Sequence, residues 1–450
     1  MKIVLLSGCS GWRLWPLSNE ARSKQFLQLL QNDNNERESM LQRVYRQICE
    51  TCINSEIYVV TSSAQADAIR NQVGTDVEII IEPERRNTFP AVSIASAFLS
   101  FNKNVNKDET ILVLPVDTYV ESEYFKQLTF LDGAVQKNAG DIVLMGTPPT
   151  YPSAKYGYIL PGEKLCDEDC GTICNKVCKY VEKPTEQQAE ELLGQGALWN
   201  TGVFAFRLGF ILELIEKYTD AADMGKFTEE FSKLPKKSFD YEILENYTNI
   251  AVVPYTGKWK DLGTWNTLTE EMSENNIGYS IQGEECTNTH VINELSIPVM
   301  VLGAKDMVVA ASPDGILVSD KHKSSYIKPY AQKIGNRPMY EERRWGEYKV
   351  LDYNQYEDEN KSLTKHLTIH QGKSISYQKH NHRDEIWTIV DGEGELLIDG
   401  NVRNVRRGDV AYIVKGQLHA MRAITDLQFI EVQIGSELSE DDIERFEWEW

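Results

Sequence analysis

The sequence predicts a three-part α/β protein: a parallel sheet covered by helices on both faces, a small β connector, and an antiparallel β barrel. Three observations carry this expectation. Short, largely β-branched apolar runs alternate with amphipathic stretches of helical length in the first part of the chain. From about Gly278 to Lys328 the helical period disappears. Beyond Trp345, short strands recur between glycine turns. Repeated strand–helix–strand order implies a parallel sheet, and regularly spaced short strands imply a barrel or jelly roll.

The expected strands of the first part are Ile3 to Leu6, Ile57 to Thr61, Val77 to Ile81, Ile111 to Leu114 and Ile142 to Met145. The helical stretches between them are Ser39 to Cys52, Ala64 to Val73, Thr88 to Phe101 and Glu123 to Lys137. In the connector, Val299 to Leu302 and Met307 to Ala310 alternate with Gly, Asp and Pro turns, and Lys328 to Pro338 reads as a linker. The last part offers strands at Leu363 to Ile369, Ile386 to Val390, Glu395 to Ile398, Val410 to Val414 and Leu427 to Gln433. Gly392, Gly394, Gly400, Gly408 and Gly416 punctuate them. The expected boundaries are 1–277, 278–335 and 336–450, in line with 450 residues at about 150 per domain.

Lys and Arg number 47 against 68 Asp and Glu, a formal charge of −21. So acidic a surface repels phosphate polymers, which argues against nonspecific nucleic-acid binding and leaves room for a small anionic substrate in a basic pocket. No apolar run reaches the ~18 residues of a membrane span, and the apolar start is cut off at Ser7-Gly8, too early for a signal peptide. A cytoplasmic setting is expected, with the eight cysteines as free thiols. No membrane partner is expected.

Directly after the first strand comes Ser7-Gly8-Cys9-Ser10-Gly11-Trp12-Arg13-Leu14-Trp15-Pro16-Leu17, followed by Lys24-Gln25-Phe26. A glycine-rich turn leaving a strand exposes backbone N–H groups to phosphate oxygens; Arg13 adds a donor fork and Lys24 a point charge. It is neither a P-loop, since Gly11 precedes Trp12, nor a dinucleotide fingerprint, since Gly8 and Gly11 are three apart. In parallel-sheet proteins ligands bind beyond the carboxyl ends of the strands, so this loop and those after Ile81 and Leu114 are the candidate site.

The loop resembles the signature of sugar-1-phosphate nucleotidyltransferases, in particular the mannose-1-phosphate guanylyltransferase branch. Further segments agree in chain order: Glu82-Pro83 with Arg86-Asn87-Thr88 and Pro90, Leu114-Pro115-Val116-Asp117, Tyr156-Gly157-Tyr158-Ile159, Val181-Glu182-Lys183-Pro184, Trp199-Asn200-Thr201-Gly202, and Trp259-Lys260-Asp261-Leu262-Gly263. Cys9, Trp12 and Thr118 depart from the usual pattern, which has glycine, a small residue and histidine there. The resemblance implies a Rossmann-like domain that joins GTP to mannose 1-phosphate and releases pyrophosphate. It implies catalytic roles for Arg13, Lys24, Asp117 and Asp261, the two aspartates holding Mg²⁺. Gly8, Ser10, Gly11, Asn87 and Thr88 would bind the nucleotide, and Gly157, Glu182, Lys183 and Asn200 the sugar phosphate. From the residues alone, Asp117, Asn87 and Thr88 read equally as helix caps.

Five of the seven histidines, His366, His370, His380, His382 and His419, fall in the last quarter. His380 and His382 are two apart, so on a strand both would face one metal. Glu385, if the strand bulges, and His419 complete a candidate set suited to Zn²⁺ or another divalent transition metal. The pattern resembles a cupin, specifically the mannose-6-phosphate isomerase domain fused to bacterial guanylyltransferases. The resemblance implies an all-β cupin barrel behind a β-helix-like connector, and mannose 6-phosphate or fructose 6-phosphate as second substrates. It also makes Arg383 a candidate for binding the sugar phosphate. The rival reading is a metal-binding or assembly domain without turnover. Two alternatives stand for the whole chain: transfer to another hexose 1-phosphate, and a non-catalytic sugar-nucleotide sensor. A homo-oligomer is expected. Cys166, Cys170, Cys174 and Cys178 recur every four residues, either as a zinc set or as incidental loop cysteines.

Overall fold

A computed structural model describes residues 1–450 except 9–10, 20, 52–54, 167–172, 336 and 440–441. Cys9, Ser10 and Cys170 lie outside the described residues, as does the side chain of Cys166. The chain divides into two compact units: Met1–Ser10 with Ser23–Ser273, and Gly11–Arg22 with Glu274–Trp450. The segment Gly11–Arg22, expected in the first part, packs in the second.

The first unit is built on a nine-stranded sheet. Its order is Glu78–Glu82, Ile57–Ser62, Lys2–Leu6, Thr110–Pro115, Leu198–Arg207, Ile142–Thr147, Ile250–Pro254, Cys174–Glu182, Gly157–Cys166. The first four strands are mutually parallel, as expected. The sheet as a whole is mixed, which corrects the all-parallel expectation: Leu198–Arg207 runs antiparallel to both neighbours, and Cys174–Glu182 and Gly157–Cys166 form an antiparallel pair. Side-chain alternation along the strands feeds two cores. Val4, Val60 and Val113 face the helices Thr88–Phe101 and Leu208–Ile215, while Ile3, Leu5 and Val59 face Met40–Glu50 and Ser122–Gln136. Ser39 starts one of these helices with a capping box, accepting from the Gln42 N–H while the Gln42 side chain accepts from its own.

In the second unit the connector strands Asn276–Gly278, His290–Asn293 and Met307–Ser312 pair in parallel over short loops, and Gly315–Asp320 returns antiparallel. Parallel pairing without helical crossovers is β-helix-like winding. The barrel has a six-stranded sheet running from Tyr340–Arg343 to Val410–Ile413 and a five-stranded sheet running from Asn401–Arg406 to Glu444–Phe446. Their inner faces bury Leu363, Leu367, Trp387, Leu396, Met421 and Phe429. Among the described residues, no helix is long and apolar enough to cross a membrane.

Candidate active site

The carboxyl ends of the parallel strands of the first unit gather the predicted charges. Lys24 opens a short 3₁₀ turn, Lys24–Phe26, and is only 5% exposed. Its Nζ lies 2.6 Å from Asp117 Oδ2. A buried ammonium needs such a partner, because desolvating it alone costs several kcal/mol. Asp117 follows the strand Thr110–Pro115, and the next strand, Thr118–Val120, pairs antiparallel with Trp259–Asp261. That register sets Asp261 opposite Thr118, and the Leu262 N–H donates to the Asp117 carbonyl at 3.1 Å. Two carboxylates far apart in the chain thus occupy neighbouring backbone positions on one ribbon. Hard oxygen donors of this kind fit Mg²⁺, which takes a few carboxylates and completes its shell with phosphate and water.

Gly8 follows Ser7, whose N–H donates to Val60 and whose carbonyl accepts from Gln25 Nε2 at 2.9 Å. A Cβ on Gly8 would stand 2.9 Å from Glu82 Oε2. Glu82 ends the strand Glu78–Glu82, is 6% exposed, and its Oε1 is buried without a hydrogen-bond partner among the described residues. Burial pushes its carboxyl up to about 7, with Arg85 opposing. Glu82 carries part of the family resemblance, but no role was expected of it, because burial of a strand-end carboxylate leaves no local signal. Asn87, at φ 79°, caps the helix Thr88–Phe101 and is exposed. The Thr88 hydroxyl accepts the Phe239 N–H at 2.8 Å. Asn87 thus makes the capping contact that its type alone suggests, while Thr88 ties the helix to a distant segment.

The predicted sugar-phosphate residues converge. Gly157 pairs with Glu182 across the antiparallel ribbon, and a Cβ there would collide with the Tyr180 hydroxyl and the Glu182 carboxylate. Tyr180 donates to Glu182 Oε2 at 2.8 Å and lies 2.9 Å from Asp240 Oδ1. Asn200 Nδ2 reaches both the Tyr180 hydroxyl and Asp240 Oδ1 at 2.9 Å, while its Oδ1 accepts the Gly202 N–H at 3.0 Å. Lys183 pairs with Glu182 and holds a left-handed φ of 46°. Burial first, then the Glu182 charge, raises Asp240 to about 6. Burial and those same two carboxylates hold the Tyr180 phenol well above its usual range. Asp240 was missed by sequence reasoning, since one Asp inside Phe239-Asp240-Tyr241 carries no spacing signal. Beside this cluster Tyr156, Trp199 and Trp259 form an aromatic wall with ring centroids 4.8–6.2 Å apart.

Gly11 and Arg13 sit in the second unit. Gly11 is buried where a Cβ would meet the Asn19 carbonyl at 2.6 Å, and its own carbonyl accepts from the Ser18 hydroxyl. Arg13 is exposed on the turn Trp12–Leu14.

In the barrel, the group of described residues able to hold a metal is His380, Glu385 and His419, all buried, with ligand atoms within 4.8 Å of one another. His382 is exposed and stands outside this group, contrary to the expectation from spacing. The physical reason is that 380–382 form the turn between Tyr377–Lys379 and Arg383–Asp391, so strand alternation does not apply to them. His380 Nδ1 bonds the Asp442 carbonyl at 2.6 Å, and His419 Nδ1 bonds the Gln417 carbonyl at 2.9 Å. A carbonyl only accepts, so both Nδ1 atoms carry the proton and both Nε2 lone pairs face the cluster. His419 Nε2 is buried with no hydrogen-bond partner among the described residues, and Glu385 Oε2 lies 3.6 Å from it. This donor set fits a divalent transition metal. Arg383 is buried too, donating to Glu385 Oε1 at 2.8 Å and lying 3.2 Å from His380 Nε2. It neutralises the cluster instead of reaching outward for a phosphate. Burial works to raise Glu385, but His380, His419 and Arg383 hold it below the usual carboxylate range. Of the four cysteines in the 166–178 stretch, Cys174 is buried and Cys178 exposed.

The nucleotidyl transferase family model matches residues 2–276, and the mannose-6-phosphate isomerase C-terminal model matches residues 335–448. The chain belongs to the nucleotidyl transferase family, with an isomerase-type C-terminal domain. It is 31% identical to the alginate biosynthesis protein AlgA of Pseudomonas putida, over 99% of this chain and 95% of that protein. It is 30% identical to the mannose-1-phosphate guanylyltransferase of Escherichia coli K12, over 98% of this chain and 97% of that one. The crystal structure of a mannose-1-phosphate geranyltransferase from Thermus thermophilus superposes with a TM-score of 0.61 at 27% identity, covering 74% of this chain and 99% of the other.

Proposed function

We propose that this chain is a mannose-1-phosphate guanylyltransferase, joining GTP to mannose 1-phosphate with release of pyrophosphate. The observation that carries the reading is the buried Lys24–Asp117 pair on the ribbon that also presents Asp261. The reaction needs no protein nucleophile: an oxygen of the sugar phosphate attacks the α-phosphorus in line, and pyrophosphate leaves from the opposite side. What the protein supplies is position and charge. Asp117 and Asp261 would hold Mg²⁺, which neutralises phosphate charge when bound. Lys24, held rigid by burial, stabilises the charge that develops at the α-phosphate, and the Gly8 backbone N–H is a donor for phosphate; for Arg13 and Gly11 the triphosphate role rests on the family resemblance alone. Lys183 takes the sugar's phosphate, and Asn200 and Glu182 its hydroxyls, with Gly157 leaving room for the polar cluster. Glu82, a buried acceptor against the first turn of the loop, suits the adjacent N–H donors on one edge of guanine. Purified protein with Mg²⁺, GTP and mannose 1-phosphate should release pyrophosphate, and Asp117→Ala should abolish it. Undiminished turnover in that variant refutes the assignment.

A second activity is favoured by the His419 Nε2, which has no hydrogen-bond partner among the described residues, and the fixed imidazole tautomers: metal-dependent interconversion of mannose 6-phosphate and fructose 6-phosphate in the barrel. His380, Glu385 and His419 would hold the metal, which polarises the sugar's carbonyl oxygen when bound. A coupled isomerase assay on metal-loaded protein tests it; silence leaves a metal-binding domain.

A further inference from the structure

The connector carries a second, smaller ladder in which Ser280–Gln282 pairs in parallel with Val299–Val301, Ile281 lying opposite Met300. Alternation sends Ser280, Gln282, Val299 and Val301 to one face. There Gln282 Nε2 donates to the Asn275 and Thr289 carbonyls, at 3.3 and 3.1 Å, so this amide is engaged by the connector's own backbone. The other face reads Tyr279, Ile281, Gly283 along one row and Pro298, Met300, Leu302 along the next. The two rows are joined at both ends. The Tyr279 carbonyl accepts the Val299 N–H at 3.0 Å, the Gly283 N–H donates to the Val301 carbonyl at 2.9 Å, and Leu302 Cδ2 lies 2.7 Å from where a Gly283 Cβ would stand.

The polarity of this ladder is inverted. A sheet with one solvated face places its polar residues there and its apolar ones inward. Here Tyr279, Ile281, Met300 and Leu302 are 60, 50, 65 and 70% exposed. Together they present on the order of 500 Å² of apolar surface, a size at which a patch is usually functional. That matches the apolar share of one side of a standard interface, which is about 800 Å² per partner and about 60% apolar.

Charge decides which partner suits the face. Residues 278–283 and 295–304 hold no charged side chain, although 26% of the chain is charged, which would place about four among these sixteen. A net charge of −21 makes copies of the chain repel one another, so contact between them is favoured where neither brings a carboxylate. A basic partner would instead be drawn to the acidic remainder of the surface. Two apolar rows side by side are also self-complementary, as a two-fold contact requires.

We propose that this face docks a second copy of the chain, sheet against sheet about a two-fold axis, and that the protein is a homodimer built through its connector. The central pair, Ile281 and Met300, of one copy then packs on the same pair of the other, with the sheets about 10 Å apart. The dimer is independent of the catalytic reading above.

The test is sedimentation equilibrium of the full-length protein, which should show twice the mass of one chain from about 0.1 to 50 µM. Met300→Glu sets carboxylates against one another across the axis and should weaken the dimer by about a hundredfold or more. Met300→Lys should do the same by itself, and an equimolar mixture of the two variants should recover the dimer, because opposite charges then face each other. A chain that had merely lost its fold would not be rescued in this way. Leu302→Glu, at the end of the same row, gives a second reading if the Met300 variants express poorly. A wild-type protein of single-chain mass throughout the range overturns the proposal. So does a dimer whose affinity stays within about threefold of wild type in both Met300→Glu and Leu302→Glu.

Discussion

Lys24 Nζ and Asp117 Oδ2 lie 2.6 Å apart, with only 6% and 20% of their side chains exposed. The lysine is the less hydrated partner, so removing it leaves a half-buried carboxylate beside its neighbour Asp261 with one cation fewer. Lys24→Gln should therefore lower kcat by on the order of 10²–10³, the usual loss for one preorganised donor at a developing charge. KM for the sugar phosphate should change little. Steady-state pyrophosphate release checks this, and a kcat within threefold of wild type would remove Lys24 from the chemistry.

Asp240 gives a pH signature that runs opposite to a salt-bridged carboxylate. Its carboxyl is raised from 3.8 to about 6 by burial and by the Glu182 charge. The folded state therefore favours the proton, and its contribution to stability is full below about pH 4 and lost as pH rises through about 6, on the order of 3 kcal/mol in total. Asp240→Asn keeps a carbonyl acceptor for Tyr180 and cannot ionise, so it should flatten the pH dependence of denaturant unfolding between 4 and 6. The same variant should raise KM for mannose 1-phosphate more than KM for GTP, because Asp240 bonds Asn200 and Tyr180. An unchanged unfolding profile would show that the proton is not held there.

Glu82 should govern which base is used. Its carboxyl is raised to about 7 by burial, and adjacent N–H donors of a guanine edge would favour the ionised form. Affinity for GTP should accordingly rise with pH between 6 and 8 and level off above. In Glu82→Gln that rise should vanish, and the preference for GTP over ATP should fall by about tenfold or more, since one acceptor has become a donor. Competition between the two nucleotides at pH 6 and pH 8 measures both effects.

How much of this could be read without coordinates depended on whether the signal was local. The alternation of short apolar runs with helical stretches was enough to expect helices on both faces of the sheet, and the stretch begun at Ser39 is the helix Met40–Glu50 with Ser39 as its cap. The family resemblance was enough to group Gly157, Glu182 and Asn200, and the strands that carry them are paired. What failed was anything set by distant packing. His382 looked like a ligand because two-residue spacing assumes a strand, and there the chain is turning. Asp240 was invisible because its environment is made by Tyr180 and Asn200, each tens of residues away. The loop with Arg13 looked like part of the sheet domain, yet Arg22 finds Glu294 and Asn19 finds Asp314 across most of the chain.

The barrel cluster makes a prediction in which the protein's own cation is the variable. Arg383 donates to Glu385 Oε1 and approaches His380 Nε2, so two of the three candidate ligands already have a positively charged partner. A divalent ion on those atoms must displace the guanidinium from them, and a nearby +1 charge in a buried site also opposes the ion directly. Arg383→Met removes both obstacles while keeping much of the buried volume. Zn²⁺ titrated calorimetrically into metal-free protein should bind the Arg383→Met variant more tightly than wild type, with one equivalent in each. His419→Ala should lose that equivalent, because its Nε2 is a candidate ligand that no hydrogen bond engages among the described residues. Weaker binding in Arg383→Met would mean that the guanidinium organises the ligands rather than competing for them. Full binding in His419→Ala would place the metal elsewhere.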